Sequence, residues 1–402
     1  MIDARRRQLV LGLGGTVDYE LRWDAAVFDR LVAEHGARRA ELTENAPIVD
    51  ERSLLIAVLA FVATGAGAER FVASSAVVEA FAAHFPHAVT LGGTGVRAGL
   101  VLDGLGIPSL QHLVSIDDTV RRLLPPRMSF VCSAMRDTLD PHLIVQYPAG
   151  ARIRLPDGDI VAPSANRLIF ANDPPNRDMR LAAELGDELA SASAFLISGF
   201  NTMQDEDLLW HRLDTLQQAM RSLPSDALVF YEDAGFYTRA FAETVRERLL
   251  SRIDVYSLNE DELQEYLRRR VDLLDPDDVI LALEEIRALI PAPALVVHTR
   301  YWALAVGAEA ARHRAALESA VRVAATRFRL GDGFTAVQAA ETEGMPRHGA
   351  GADLVRTVEA AVRDAVGVAA FALDIANPTT IGLGDTFVGG FLAVHAPQEE
   401  HP

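Results

Sequence analysis

The chain has 402 residues, half of them apolar, with 56 acidic against 38 basic side chains and a formal net charge of -18. None of the basic residues is lysine, which excludes a P-loop lysine, Schiff-base chemistry and a lysine-activated serine nucleophile. The negative charge repels phosphate backbones and anionic lipid, so neither nucleic acid nor a membrane is expected as a partner, and the single Cys132 forms no intrachain disulfide or cysteine metal cluster, which fits a reducing cytoplasm.

Residues 9–13 read as a first strand behind Arg5-Arg6-Arg7, and the apolar run is too short for an export signal before Gly14, Gly15 and Asp18 intervene. Residues 21–44 are acidic and helix-like. Residues 54–68 form the longest uncharged apolar stretch; it falls short of the roughly 18 residues of a spanning segment and reads as a buried helix closed by Gly65 and Gly67. Short apolar strands are expected at 113–116, 195–198, 228–231, 255–258 and 295–298, with helices at 205–220 and 277–289 that carry carboxylates in their first turns. Such alternation predicts an α/β fold with a mostly parallel sheet flanked by helices.

Residues 142–147, 151–155, 160–162 and 167–171 interrupt the alternation as successive strands, the middle two joined by Pro156-Asp157-Gly158. They predict a smaller β-rich lid. The expected division is a large nucleotide-binding domain of residues 1–18, 45–93, 119–141 and 172–402, and a lid of 19–44, 94–118 and 142–171. Residues 341–353, glycine-rich with Pro346, read as a mobile loop.

The strongest chemical signal is Thr380-Ile381-Gly382-Leu383-Gly384-Asp385-Thr386 ahead of an apolar helical run. Glycines at a helix N-terminus turn backbone N–H groups into one concavity that attracts a phosphoryl group, and Asp385 in the first turn is placed to accept a hydroxyl proton. A tight turn capped by an aspartate has the same appearance, and spacing alone leaves both readings open. Asn259-Glu260-Asp261-Glu262 opens a helix after a strand; Asn259 and Glu262 share a face and suit either hydrated Mg2+ near phosphates or a favourable helix start. The scattered histidines show no ligand spacing, so no zinc is expected. Gly12 and Gly14 begin like a dinucleotide fingerprint, but Val17 stands at the third glycine position.

Taken in order, these motifs resemble the ADP-dependent sugar kinases, the glucokinase and phosphofructokinase family with a ribokinase-like fold, over nearly the whole chain. Gly382 to Asp385 are similar to the family's GxGD element, and Asn259 to Glu262 to its NxxE magnesium motif. Further elements resemble the sugar-contacting parts: Gly14 to Asp18, Gly65 to Glu69, and Leu91-Gly92-Gly93-Thr94-Gly95. Asn166-Arg167-Leu168-Ile169 resembles the strand with a phosphate-contacting arginine, and Val297-His298-Thr299 the HT element near the nucleotide.

The resemblance implies phosphoryl transfer from ADP, with ATP as the alternative donor, to the hydroxyl of a hexose such as glucose. It implies Asp385 as base; Gly382, Leu383 and Gly384 as anion hole; Asp18, Glu69, Gly93 and Thr94 around the sugar; Arg167, His298, Thr299 and Thr380 on nucleotide and phosphate; and Asn259, Glu262 and Glu232 around Mg2+. Thr16 and Thr94 replace the usual asparagine and glutamine, and no lysine is available for a sugar phosphate. Arg97, beside the substrate loop, is the candidate replacement cation; an ADP-dependent phosphofructokinase, an ATP-dependent sugar or nucleoside kinase, or a non-catalytic sensor are the alternatives.

Overall fold

The computed structural model describes residues 7–375 and 381–397. The chain begins with β1 (Gln8–Leu11), β2 (Thr16–Leu21), β3 (Ala68–Phe71) and β4 (His87–Gly92), with helices Ala25–His35, Glu51–Thr64 and Ser75–Ala82 between them. After helix Thr94–Gly104 follow β5 (Ser109–Leu113), β6 (Met128–Cys132), β7 (His142–Tyr147), β8 (Arg152–Ile153), β9 (Ile160–Val161) and β10 (Asn166–Ala171). The second half alternates β11 (Ala192–Ile197), β12 (Leu228–Glu232), β13 (Val255–Asn259) and β14 (Ala294–His298) with helices. It then adds β15 (Trp302–Val306), β16 (Ala365–Ala369) and a last helix, Leu383–Ala393.

Nine strands form one sheet in the order β16-β15-β14-β13-β12-β11-β1-β5-β6. Pairing is parallel from β6 to β14 and antiparallel at β15 and β16. Its central strands are mostly apolar on both faces because both are covered: Val10, Phe195 and Val297 enter one core, while their neighbours Leu9, Leu11, Leu196 and Val296 enter the other.

The smaller sheet, β3-β10-β7-β2-β4, has two different faces. One packs Leu143, Val145, Leu168 and Phe170 against Phe28, Leu55 and Phe81 of three helices. The other carries Thr16, Asp18 and Glu20, alternate residues of β2, toward the large domain. Helix Glu51–Thr64 is buried on nearly every side, which is why its sequence lacks charge after Arg52, and Gly65 ends it in the left-handed region at φ 73. Val17, Leu91, Val96, Leu113 and Ile116 pack where the two sheets meet.

Several expectations need correction. Residues 45–93 were assigned to the large domain, yet β3, β4 and helix Glu51–Thr64 belong to the small one; residues 94–118 were assigned to the lid, yet β5 lies inside the nine-stranded sheet. The 113–116 strand is in fact Ser109–Leu113, whose Gln111 and His112 hid it because buried polar residues break an apolar run. Residues 341–353 are largely helical, split between helices Ala336–Glu343 and Gly349–Ala361. No helix among the described residues is long and apolar enough to cross a membrane.

Candidate active site

Helix Leu383–Ala393 starts at Gly382, whose φ of 63 lies in the left-handed region. Its carbonyl accepts from the Thr386 amide at 3.0 Å and from the Thr386 hydroxyl at 2.8 Å, so the turn is closed by its own first residues. The first-turn N–H groups of the helix, starting at Leu383, have no intrahelical acceptor and form the positive end of the helix. Asp385 stands in that first turn, about a quarter exposed. Thr380 lies outside the described residues.

On one side of this turn, Asp18 is 4% exposed and both its oxygens are engaged: the Thr16 hydroxyl donates to Oδ1 at 2.7 Å and Arg97 Nη2 to Oδ2 at 2.8 Å. Thr16, shorter than the asparagine it replaces, holds Asp18 from its own strand. Arg97 also reaches Glu20 Oε1 at 3.5 Å and lies 3.9 Å from Asp385 Oδ2 through Nε. Glu69 of β3 accepts from the Tyr237 hydroxyl at 3.0 Å, while the Tyr237 ring packs 4.4 Å from that of Phe71. Glu69 therefore touches the large domain. His142 Nε2 pairs with Asp173 Oδ2 at 3.0 Å; burial alone would lower its pKa, but Asp173, Asp18 and Glu69 together raise it.

Gly93, at φ 88, caps helix Thr94–Gly104, and a Cβ there would sit 3.0 Å from Gly15 Cα, so the two glycine turns touch. Thr94 is half-buried at the first position of that helix.

A cleft of about 750 Å³ opens on the other side of the same turn. Leu383, Gly384 and Phe387 line it together with Asn259, His298, Thr299, Tyr301 and Phe371. Its apolar floor of Val321, Ala324, Ala325 and Phe328 suits a planar base, and the glycine turn at its end suits phosphate. His298 is buried, with its ring stacked 4.5 Å from Phe387 and Nε2 3.0 Å from Glu232 Oε1. The Thr299 hydroxyl donates to Trp302 O and accepts from the amides of Tyr301 and Trp302, so it builds the β14–β15 turn and is not a free donor to nucleotide.

The acidic cluster beside the cleft is built by helix capping. Asn259 Oδ1 accepts from the amides of Asp261 and Glu262, and Glu262 Oε2 accepts from the Asn259 amide at 2.7 Å. Burial, reinforced by the charges of Glu232 and Asp233, holds Glu262 well above the ordinary carboxylic range. Glu232 Oε2 is buried with no hydrogen-bond partner among the described residues. Asp233, just after β12, is also buried and is pushed up to about 6 by that burial although Tyr256 and Tyr266 both donate to it. Among the described residues no three acidic, histidine or cysteine groups stand close enough to ligate a metal directly. The orphan oxygen and crowded carboxylates fit a hydrated divalent cation held through its waters.

The two candidate arginines stand in different surroundings. Arg97, taken as a receptor for a sugar phosphate, is enclosed by carboxylates. Arg167 is exposed on β10, and its side chain makes no hydrogen bond or ion pair with a described residue. Glu20, His142, Asp173 and Tyr237 join these residues without having stood out in the sequence. Glu20 was within reach, because two residues after Asp18 in a strand lie on the same face. The other three reach the site from separate elements.

The family profile described as the ADP-specific phosphofructokinase/glucokinase conserved region matches residues 7–393. Among solved structures, a hypothetical ADP-dependent phosphofructokinase from Pyrococcus horikoshii OT3 superposes with TM-score 0.77 at 17% identity, covering 98% of each chain. The reconstructed last common ancestor of ADP-dependent phosphofructokinases from Methanosarcinales gives TM-score 0.77 at 14% identity, covering 99% of this chain and 96% of that one. An ADP-dependent kinase in complex with fructose-6-phosphate and ADPβS gives 0.73 at 13%, covering 98% and 95%. With a family match that runs through both sheets and the glycine turn, the chain belongs to the ADP-specific phosphofructokinase/glucokinase family and is an ADP-dependent sugar kinase.

Proposed function

We propose that the acceptor is a neutral hexose, and that Asp385 removes the proton of its reacting hydroxyl while the amides of the Gly382–Gly384 turn receive the phosphoryl group. The observation that carries the choice of acceptor is the charge around it: Asp18, Glu20, Glu69, Asp173 and Asp385 outnumber the basic groups they face, Arg97 and His142, whose pKa Asp173, Asp18 and Glu69 raise against the effect of burial. An excess of carboxylates accepts hydroxyl protons well and disfavours a second phosphate. Asp18 and Glu69 orient the sugar, and Gly93 with Thr94 lines it. The base of ADP occupies the apolar cleft against Phe371 and Phe328, with His298 beside the glycine turn. Glu232, Glu262 and Asn259 would hold Mg2+ through water, where it would neutralise phosphate charge.

Transfer proceeds by attack of the sugar oxygen on the β-phosphorus, with the proton passing to Asp385 and AMP leaving. Such transition states are loose, so a weak carboxylate base suffices and positioning carries most of the rate. Closure of the small sheet over the cleft excludes water as a competing acceptor.

A second reading is a phosphofructokinase, supported by the superposition on ADP-dependent phosphofructokinases, in which the exposed Arg167 would meet the acceptor phosphate. The deciding experiment measures AMP formation from ADP, and ADP formation from ATP, with glucose, glucosamine and fructose 6-phosphate. The neutral hexose should give the higher kcat/KM with ADP; a higher value for fructose 6-phosphate overturns the reading.

A further inference from the structure

His348 lines the cleft beside the glycine turn and carries a polar group to which the mechanism gives no part. It is the N-cap of helix Gly349–Ala361, and its Nδ1 accepts from the Gly351 amide at 3.0 Å. An amide can only donate, so Nδ1 carries no proton, and the proton of the neutral ring sits on Nε2. The helix cap thereby fixes the tautomer. Nε2 makes no hydrogen bond with a described residue. The ring also packs against Tyr301, another residue of the cleft, with centroids 5.0 Å apart at 45°. Backbone bonds tie the two together: the His348 amide donates to Ala370 O at 2.8 Å, and the Ala370 amide to Tyr301 O at 2.9 Å. His348 is therefore a hydrogen-bond donor of set polarity and held position, in a cleft whose floor of Val321, Ala324, Ala325 and Phe328 is apolar.

We propose that His348 selects adenine, its Nε2–H donating to N1 of the base of ADP. The inference rests on the placement of that base in this cleft. Adenine offers three ring nitrogens that accept, N1, N3 and N7. With the phosphates at the glycine turn, N1 lies on the edge opposite the glycosidic bond and points away from the turn. Beside the turn itself stands His298, whose Cε1 would be 3.5 Å from a Cβ on Gly384, whereas His348 comes from a separate element and is not a neighbour of that glycine. N1 accepts in adenine but carries a hydrogen in guanine and hypoxanthine. A ring nitrogen that can only donate would then face another N–H, and two unpaired donors discriminate more strongly than a lost apolar contact. Because the cap and Tyr301 hold the ring before the nucleotide arrives, little ordering cost falls on binding.

The test titrates the protein by calorimetry with AMP, 1-deaza-AMP, 7-deaza-AMP and IMP, which requires neither acceptor nor metal. The parent should bind 1-deaza-AMP and IMP about 10-fold more weakly than AMP, and 7-deaza-AMP as tightly as AMP. His348→Ser keeps a capping hydroxyl at the helix start and removes the donor. It should bind AMP about 10-fold more weakly than the parent does, with the affinity ratio of AMP to 1-deaza-AMP falling to about one. A role in capping or packing alone would weaken all four ligands alike and leave that ratio as in the parent, and this result overturns the proposal. So does a parent that binds 1-deaza-AMP as tightly as AMP, or that discriminates against 7-deaza-AMP instead; both are read without any variant, so the proposal stays open to refutation if His348→Ser does not fold. Phe328→Ala tests the placement on which the inference rests. Unchanged AMP affinity in Phe328→Ala overturns the placement of the base; weakened binding of AMP and 1-deaza-AMP together in Phe328→Ala, beside a parental ratio in His348→Ser, overturns only the role of His348.

Discussion

Asp385 meets its partners through geometry set by a neighbouring glycine and a distant strand. Its carboxylate lies 3.9 Å from Arg97, which Asp18 in turn anchors at 2.8 Å. Replacing Asp385 by asparagine keeps the side chain's shape and removes its capacity to take a proton. The expected outcome is a kcat about 10³-fold lower with ADP binding retained by calorimetry; unchanged turnover would remove Asp385 from the mechanism. Tyr237 acts at the same scale. Its hydroxyl orients Glu69 from across the cleft, and the ring is held independently by Phe71. Tyr237→Phe should raise KM for the hexose about fivefold, the equivalent of one hydrogen bond of about 1 kcal/mol, with KM for ADP unchanged. An equal rise in both would mean that the contact serves closure of the domains and not the sugar.

At the scale of elements, the helices around the site begin in two different ways. Helix Glu260–Leu267 is a capping box, Asn259 and Glu262 each satisfying the other's backbone. The same two residues are the ones proposed for the shell of a hydrated cation, and the helix start and that role do not exclude each other. Asn259→Ala should lower unfolding free energy by about 1 kcal/mol in urea titrations and weaken dependence on magnesium. A stability loss without any change in the magnesium requirement would leave Asn259 as a cap alone. Helix Leu383–Ala393 instead begins at a left-handed glycine with no side-chain cap, which keeps its first amides free for a ligand.

At the scale of the whole molecule, global stability carries a pH dependence from the buried end of β5. Burial lowers His112 from its ordinary 6.5 to about 4, and Nε2 accepts from the Ala182 amide at 2.9 Å, so the ring is neutral in the folded chain. Between those two pH values the unfolded chain takes up a proton that the folded chain refuses. Stability is therefore fully present above pH 6.5 and falls on acidification toward pH 4, by on the order of 3 kcal/mol from this residue. His112→Gln, whose amide oxygen can accept the same hydrogen bond, should flatten that part of the curve in urea unfolding followed across pH; an unchanged slope would assign the effect elsewhere. The sequence by itself determined the α/β class, most strands of the large sheet, the lid hairpins and the turn around Asp385, because apolar runs, turn residues and helix starts are local and depend on neighbours a few positions apart. Asp18, Glu69, Asn259 and Glu262 are candidates for the site through the family resemblance of their motifs, not through any local pattern. Only the tertiary structure decided that β3 and β4 belong to the small sheet, that Arg97 joins Asp18 to Asp385, that His142 pairs with Asp173, and that Tyr237 reaches Glu69. Those contacts join residues tens to hundreds of positions apart, such as Tyr237 with Glu69 at a separation of 168, and no local pattern of charge or hydrophobicity encodes which distant side chain a carboxylate will meet.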